Sequence, residues 1–151
     1  MKKRFLILAL AVLIPLAGLA AQENAFNFLS FNIGYGYNIN TDGSGTPASV
    51  STFGANFRVA GPMIVGFEMA TPTLNLLKVK FDVIPALRAV IGYTGTDNRG
   101  LFGFEVVPFK REVSGLFTEF KMMVDYITHD NFAFTGTNSN LRMQMALGVG
   151  F

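Results

Sequence analysis

The sequence predicts an all-β fold, an eight-stranded antiparallel up-and-down transmembrane β-barrel. Three observations carry that expectation. Large apolar residues recur at every second position through eight separate stretches, the period of a strand with one face buried in an apolar medium. Beyond residue 20 no run of about 18 apolar residues offers a helical span, although hydrophobic residues make up 50% of the chain. Within the stretches the charged residues all fall on the face opposite the large apolar ones, in company with glycine.

The first twenty residues stand apart from this pattern. Lys2, Lys3 and Arg4 form a positive start, Phe5 to Leu16 an apolar run interrupted by Pro15, and Ala17, Gly18 and Ala20 a small-residue end. That order reads as a secretory signal peptide over 1–20, cleaved after Ala20 or alternatively after Ala21, and leaves one barrel domain over 21–151. The apolar run is too short for a comfortable membrane helix. Without Lys2, Lys3 and Arg4, nine basic residues face ten acidic ones, a net charge of about −1. The basic balance therefore resides in the leader, and a nucleic-acid partner loses its main argument. The absence of cysteine excludes disulfides and thiolate metal sites.

The strands follow in order. In 29–39, Leu29, Phe31, Ile33, Tyr35, Tyr37 and Ile39 alternate with Ser30, Asn32, Gly34, Gly36 and Asn38. Phe26 and Phe28 break this phase and suggest a bulge or a lead-in segment covering the barrel floor. In 51–59, Phe53, Phe57 and Val59 oppose Thr52, Gly54, Asn56 and Arg58. In 63–69, Met63, Val65, Phe67 and Met69 oppose Ile64, Gly66 and Glu68. In 77–83, Leu77, Val79, Phe81 and Val83 oppose Lys78, Lys80 and Asp82. In 87–93, Leu87, Ala89, Ile91 and Tyr93 oppose Arg88, Val90 and Gly92; residues 76–94 could equally form one long strand. In 102–107, Phe102, Phe104 and Val106 oppose Gly103, Glu105 and Val107. In 116–126, Leu116, Phe120, Met122, Val124 and Tyr126 oppose Phe117, Glu119, Lys121, Met123 and Asp125. The eighth strand runs from Leu141 to Phe151. The connections alternate in length. Gly61-Pro62, Pro85 and a slightly longer 110–115 lie on one side, while 40–49, 71–75, 95–100 and 129–140 lie on the other. An even strand count with short periplasmic turns and longer outer loops fits an outer-membrane barrel.

The charges set which face meets lipid. Arg58, Lys78, Lys80, Arg88, Lys121 and Arg142 nearly balance Glu68, Asp82, Glu105, Glu119 and Asp125, all on the polar face. A charge facing lipid near mid-membrane costs about 2–4 kcal/mol, so the large apolar face is the lipid face. The polar face then fills the lumen, where a narrow barrel needs small residues and paired charges. Its charges read as a structural network, with a small gated pore as the other reading. Tyr35, Tyr37, Tyr93 and Tyr126 sit on the large face near the outer strand ends, placed as an aromatic belt at one water–lipid boundary. A soluble lipocalin-like barrel, with the large residues turned inward around a ligand, remains the third arrangement.

The closing stretch resembles the C-terminal signature of bacterial outer-membrane proteins, with Phe151 preceded by Val149, Leu147, Met145 and Met143 at alternating positions. That resemblance implies recognition by the barrel-assembly machinery and passage through periplasmic chaperones after secretory export. The whole chain resembles, in architecture, the small barrels of the OmpX, OmpA-transmembrane and OmpW type. The resemblance implies an integral outer-membrane location, outer-membrane lipid as partner, and a structural or surface-interaction role. The OmpW-like alternative implies a channel for small or hydrophobic solutes.

Nothing in the sequence assembles a catalytic or metal site, and no cofactor is expected. His129 is the single histidine, beside Asp130 and near Ser139 in the last outer loop, and reads as a solvated loop pair. Glycines at 34 and 36 lie inside a strand and precede no helix, so they form no phosphate loop. Thr41–Ser49 and Asp130–Asn140 are the natural surface for an extracellular ligand, whose identity the residues do not specify.

Overall fold

In a computed structural model, which describes residues 28–43, 45–71, 74–95, 98–129 and 139–151, eight strands close into a barrel. They are β1 (Leu29–Asn40), β2 (Ala48–Ala60), β3 (Met63–Ala70), β4 (Leu74–Ile84), β5 (Leu87–Thr94), β6 (Arg99–Val113), β7 (Leu116–Ile127) and β8 (Asn140–Gly150). Each pairs antiparallel with its sequence neighbours, and β8 closes on β1 from Ser30↔Gly150 to Asn40↔Asn140. Closure leaves no free edge along the paired rows, which is how a sheet satisfies its backbone without water. The signal-peptide reading of 1–20 and the phase break at Phe26 lie outside the described residues.

Residues 76–94 form two strands. Pro85 and Ala86 make the turn between Ile84 and Leu87, where a missing N–H costs no ladder bond. The connections at the rim where β1 starts and β8 ends, here the base rim, are two residues each at 61–62, 85–86 and 114–115. The opposite, loop rim carries the longer 41–47 and 128–139 and the shorter 71–73 and 95–98. Strands β2, β4 and β6 start earlier than their alternation suggests, because the ladder continues through polar and small residues such as Ala48, Asn75 and Gly100.

The largest departure is at β6. It continues to Val113, so 110–115 is not a longer turn; only Ser114 and Gly115 connect it to β7. Both take positive φ, 51° and 81°, the geometry of a two-residue hairpin turn whose twist matches the strands. A bulge between Val106 and Phe109 absorbs Pro108 and shifts the phase by one residue. Phe109 therefore points outward opposite Phe120, and Lys110 falls on the lumen face opposite Glu119.

Two further corrections concern the base rim. Phe28 does not cover the floor; it lies on the outside, edge-on to Phe57 at 6.3 Å between ring centroids. Phe151 lies one residue past β8, yet its N–H and C=O both pair with Leu29 at 3.0 Å.

Candidate functional site

The lumen is where the sequence places its chemistry, and strand pleating decides what enters it. Nine of the eleven charged residues named from the alternation are buried there: Glu68, Lys78, Lys80, Arg88, Glu105, Glu119, Lys121, Asp125 and Arg142. Arg58 and Asp82 remain partly open at the base rim. All eleven take part in ion pairs with one another, but in two separate systems.

The first is a ring. Lys78 Nζ donates to Glu68 Oε2 and Asp125 Oδ2, each at 3.0 Å. Arg142 answers from the other side, with Nη2 donating to Asp125 Oδ2 at 2.5 Å and Nη1 standing 2.9 Å from Glu68 Oε1. Two cations and two anions from β3, β4, β7 and β8 thus neutralise one another across the lumen. Beside the ring lies an apolar cluster of Leu76, Val90, Leu101 and Ile127, with Leu74 against it. Gly92 makes room for both: a Cβ there would lie 3.3 Å from Lys78 Cγ and 3.5 Å from Leu101 Cδ2.

The second system branches. Arg88 is its hub, with Nε donating to Asp82 at 2.8 Å, Nη1 to Glu105 at 2.5 Å and Nη2 to Glu119 at 3.2 Å. Arg58 reaches Asp82 at 2.7 Å, Lys80 reaches Glu105 at 2.6 Å, and Lys121 reaches Glu119 at 2.7 Å. Asn56 adds a neutral link, donating to Asn32 at 2.7 Å and Ser30 at 3.3 Å. Room for these long side chains comes from small residues opposite them. Gly148 pairs with Glu119, and a Cβ at Gly148 would lie 3.0 Å from Glu119 Cγ and 3.1 Å from Lys121 Cε.

Several lumen residues escaped the sequence reading. Lys110 was hidden by the β6 bulge. Leu76, Leu101 and Ile127 lay beyond the strand ends as read. Arg99, buried at the loop rim, donates from Nε to the Thr128 carbonyl at 2.7 Å; the alternation places it in the 95–100 connection. The first of these could have been found by treating Pro108 as a phase marker, since proline inside a strand pattern points to a bulge.

The outer face is the complement. Met143, Met145, Leu147, Val149 and Phe151 all project outward and are exposed. Tyr35 and Tyr37 stand outward and edge-on to each other, 5.7 Å between centroids. Tyr93 donates from its hydroxyl to Asn98, and Tyr126 lies across from Phe102 and Leu141. All four tyrosines sit on the loop-rim halves of their strands. Because the large residues point outward, the lipocalin-like arrangement is not the one adopted.

No catalytic constellation forms among the described residues. His129 follows the end of β7, Asp130 lies outside the described residues, and Ser139 is engaged by the Thr41 side chain and backbone. No group of three or more His, Cys, Asp or Glu is placed to hold a metal among the described residues.

The fold and lumen define a class: a closed, eight-stranded antiparallel barrel with a polar, charge-paired interior and an apolar exterior. No family model matches the chain, and no curated protein matches it. Among solved structures the chain is similar to a protein described as "De novo design of transmembrane beta-barrels", at 21% identity and a TM-score of 0.41, over 86% of this chain and 98% of that one.

Proposed function

We propose that the chain is an integral outer-membrane β-barrel with a structural or surface-interaction role, its lumen closed by its own polar network. The carrying observation is the outer face. Among the described strand residues, Arg111 is the one charged side chain in the outward phase, and it lies near the base rim opposite Thr118. Elsewhere the outward positions present residues such as Phe104, Leu147, Ile33 and Phe53, each exposed. A soluble monomer rarely exposes a contiguous apolar surface of more than a few hundred Å². A lipid bilayer removes that cost, and it excludes charge from the same band. The tyrosines at the loop rim then form the aromatic belt, and the loops beyond them face outside the cell.

In this proposal residues 1–20 direct export, periplasmic chaperones carry the chain, and Met143, Met145, Leu147, Val149 and Phe151 are read by the assembly machinery. The ring and the apolar cluster favour a filled lumen over a conduit, and no catalysis is assigned. Fractionation with gel mobility tests the reading. The chain should sediment with outer membranes, need detergent for extraction, and migrate differently before and after boiling. Recovery from the soluble periplasm without detergent would end it. The competing channel reading needs ring and cluster to part; planar-bilayer recordings should show no conductance, and a stable unitary current would replace the structural role.

A further inference from the structure

The inward-facing residues change character along single strands. From the loop rim down β4 they are Leu74, Leu76, Lys78, Lys80 and Asp82. Down β7, Ile127 is followed by Asp125, Met123, Lys121 and Glu119. Apolar side chains thus form a layer on the loop-rim side of the ring. Leu76, Leu101 and Ile127 are wholly buried in it, and Leu74 packs against them. Ala70, opposite Leu74 in the β3–β4 ladder, is buried and faces inward from the neighbouring strand. Above the layer polar groups satisfy one another: the Arg99 N–H donates to Thr94 Oγ1 at 3.1 Å and the Gly100 N–H to Thr128 Oγ1 at 2.9 Å. At the other end of the lumen a small cavity beside Arg58, Lys110 and Glu119 borders the base rim, where Arg58 and Asp82 still touch solvent.

Ring and layer resist passage in different ways. Lys78, Asp125, Glu68 and Arg142 hold one another, each through two partners. Such groups can exchange a partner for a bridging water, and they offer a passing ion substitutes for its hydration shell. Leu74, Leu76, Leu101 and Ile127 offer neither a donor nor an acceptor from their side chains. Water there would forfeit hydrogen bonds, and a narrow apolar constriction blocks ions by staying dry. An apolar space stays dry even when it is enlarged, so polarity rather than width sets the barrier.

We infer that the permeability barrier of this barrel is the apolar layer of Leu74, Leu76, Leu101 and Ile127, and that the ion ring beneath it holds the fold together without being the seal. The inference rests on the reading of the chain as a closed membrane barrel. It assigns the closure to four side chains on β4, β6 and β7, and makes the layer a one-sided stop between the loop rim and the charged part of the lumen.

The test compares side chains of nearly equal size and opposite polarity. The mature chain and its variants are refolded in detergent, checked for folding by their gel mobility before and after boiling, and inserted into planar bilayers in potassium chloride. Leu76→Ser with Leu101→Ser should raise the current over wild type about tenfold or more, because the layer then wets. Leu76→Ala with Leu101→Ala opens the same space but keeps it apolar, and should stay as silent as wild type. Arg142→Gln, which breaks the ring under an intact layer, should also stay silent. Should the double serine variant fail to fold, Leu101→Ser against Leu101→Ala makes the same comparison. Equal currents from the serine and alanine variants, a folded serine variant without current, or a conducting Arg142→Gln beside a silent wild type would overturn this assignment alone. A wild type that conducts by itself would overturn the closed lumen, and the assignment with it.

Discussion

Lys78 and Lys121 are both fully buried lysines of the same lumen, yet they live in different electrostatic settings. Lys78 shares a closed ring with Glu68, Asp125 and Arg142, next to Leu76, Leu101 and Ile127. Lys121 belongs to a branched set that carries more cations than carboxylates and borders a cavity. The difference shows how one pleated face can serve two ends. Where the lumen is dry, charges cancel within a closed set and apolar side chains fill the remainder. Where it opens, at Arg58 and Asp82, solvent reaches a set whose charges do not cancel among themselves. A buried pair in the dry part gains strong attraction but cannot lose a partner cheaply, whereas one near the mouth can be rescued by water.

Breaking the ring should have the largest effect. Arg142→Ala leaves Glu68 and Asp125 sharing Lys78 alone in a closed space, and removing one partner of a buried pair costs about 3–5 kcal/mol. Urea unfolding of the detergent-refolded barrel should show this as a fall in midpoint. Retention of the wild-type midpoint would mean that water reaches the ring.

Packing should discriminate the halves next. A Cβ at Gly92 would lie 2.7 Å from the Leu77 carbonyl oxygen, which the sheet holds rigidly. Gly92→Ala should therefore cost about 1–3 kcal/mol, as overpacking does. At Gly148 the neighbours are Glu119 Cγ and Lys121 Cε, side-chain atoms beside the cavity that can shift. Gly148→Ala should lose less than Gly92→Ala in the same unfolding assay; the reverse order would contradict the difference in rigidity.

Smaller still is Arg58→Ala. Its partner Asp82 is also held by Arg88, and both Arg58 and Asp82 touch solvent, so the loss should be about 1 kcal/mol or less. Loss of Phe151 should barely touch either half. Burying a whole aromatic is worth about 1.5–3 kcal/mol, and this ring stays half exposed at the rim, so the purified deletion should refold. Its outer-membrane level in fractionated cells should nevertheless drop, because the proposed assembly signal is gone. Normal levels would return Phe151 to being an ordinary strand end.

What the sequence made legible follows the same division. The phase of the strands could be read because a closed barrel with one apolar and one polar surface forces strict alternation, so Lys78, Asp125 and Arg142 were placed on one face. Which of them meet was not legible: Glu68 and Arg142 are distant in sequence and touch only across the lumen. Leu76, Leu101 and Ile127 are not legible because each lies just outside its alternating stretch, at the loop-rim end of β4, β6 or β7. Lys110 was missed because alternation carries no memory across a bulge. The cavity at the base rim was therefore invisible until the β6 register was known.

The account rests on the outer face meeting lipid while the lumen stays closed. The chain lacks cysteine, so single labels report one position each. Nitroxides placed at Leu147 and Phe104 on the outer face, and at Arg111 near the base rim, can be read in bilayers by collision with oxygen, which concentrates in lipid, and with a water-soluble nickel chelate. Leu147 and Phe104 should collide often with oxygen and rarely with nickel, and Arg111 should show the reverse. Frequent nickel collisions at Leu147 and Phe104, matching those at Arg111, would contradict a barrel embedded in the membrane.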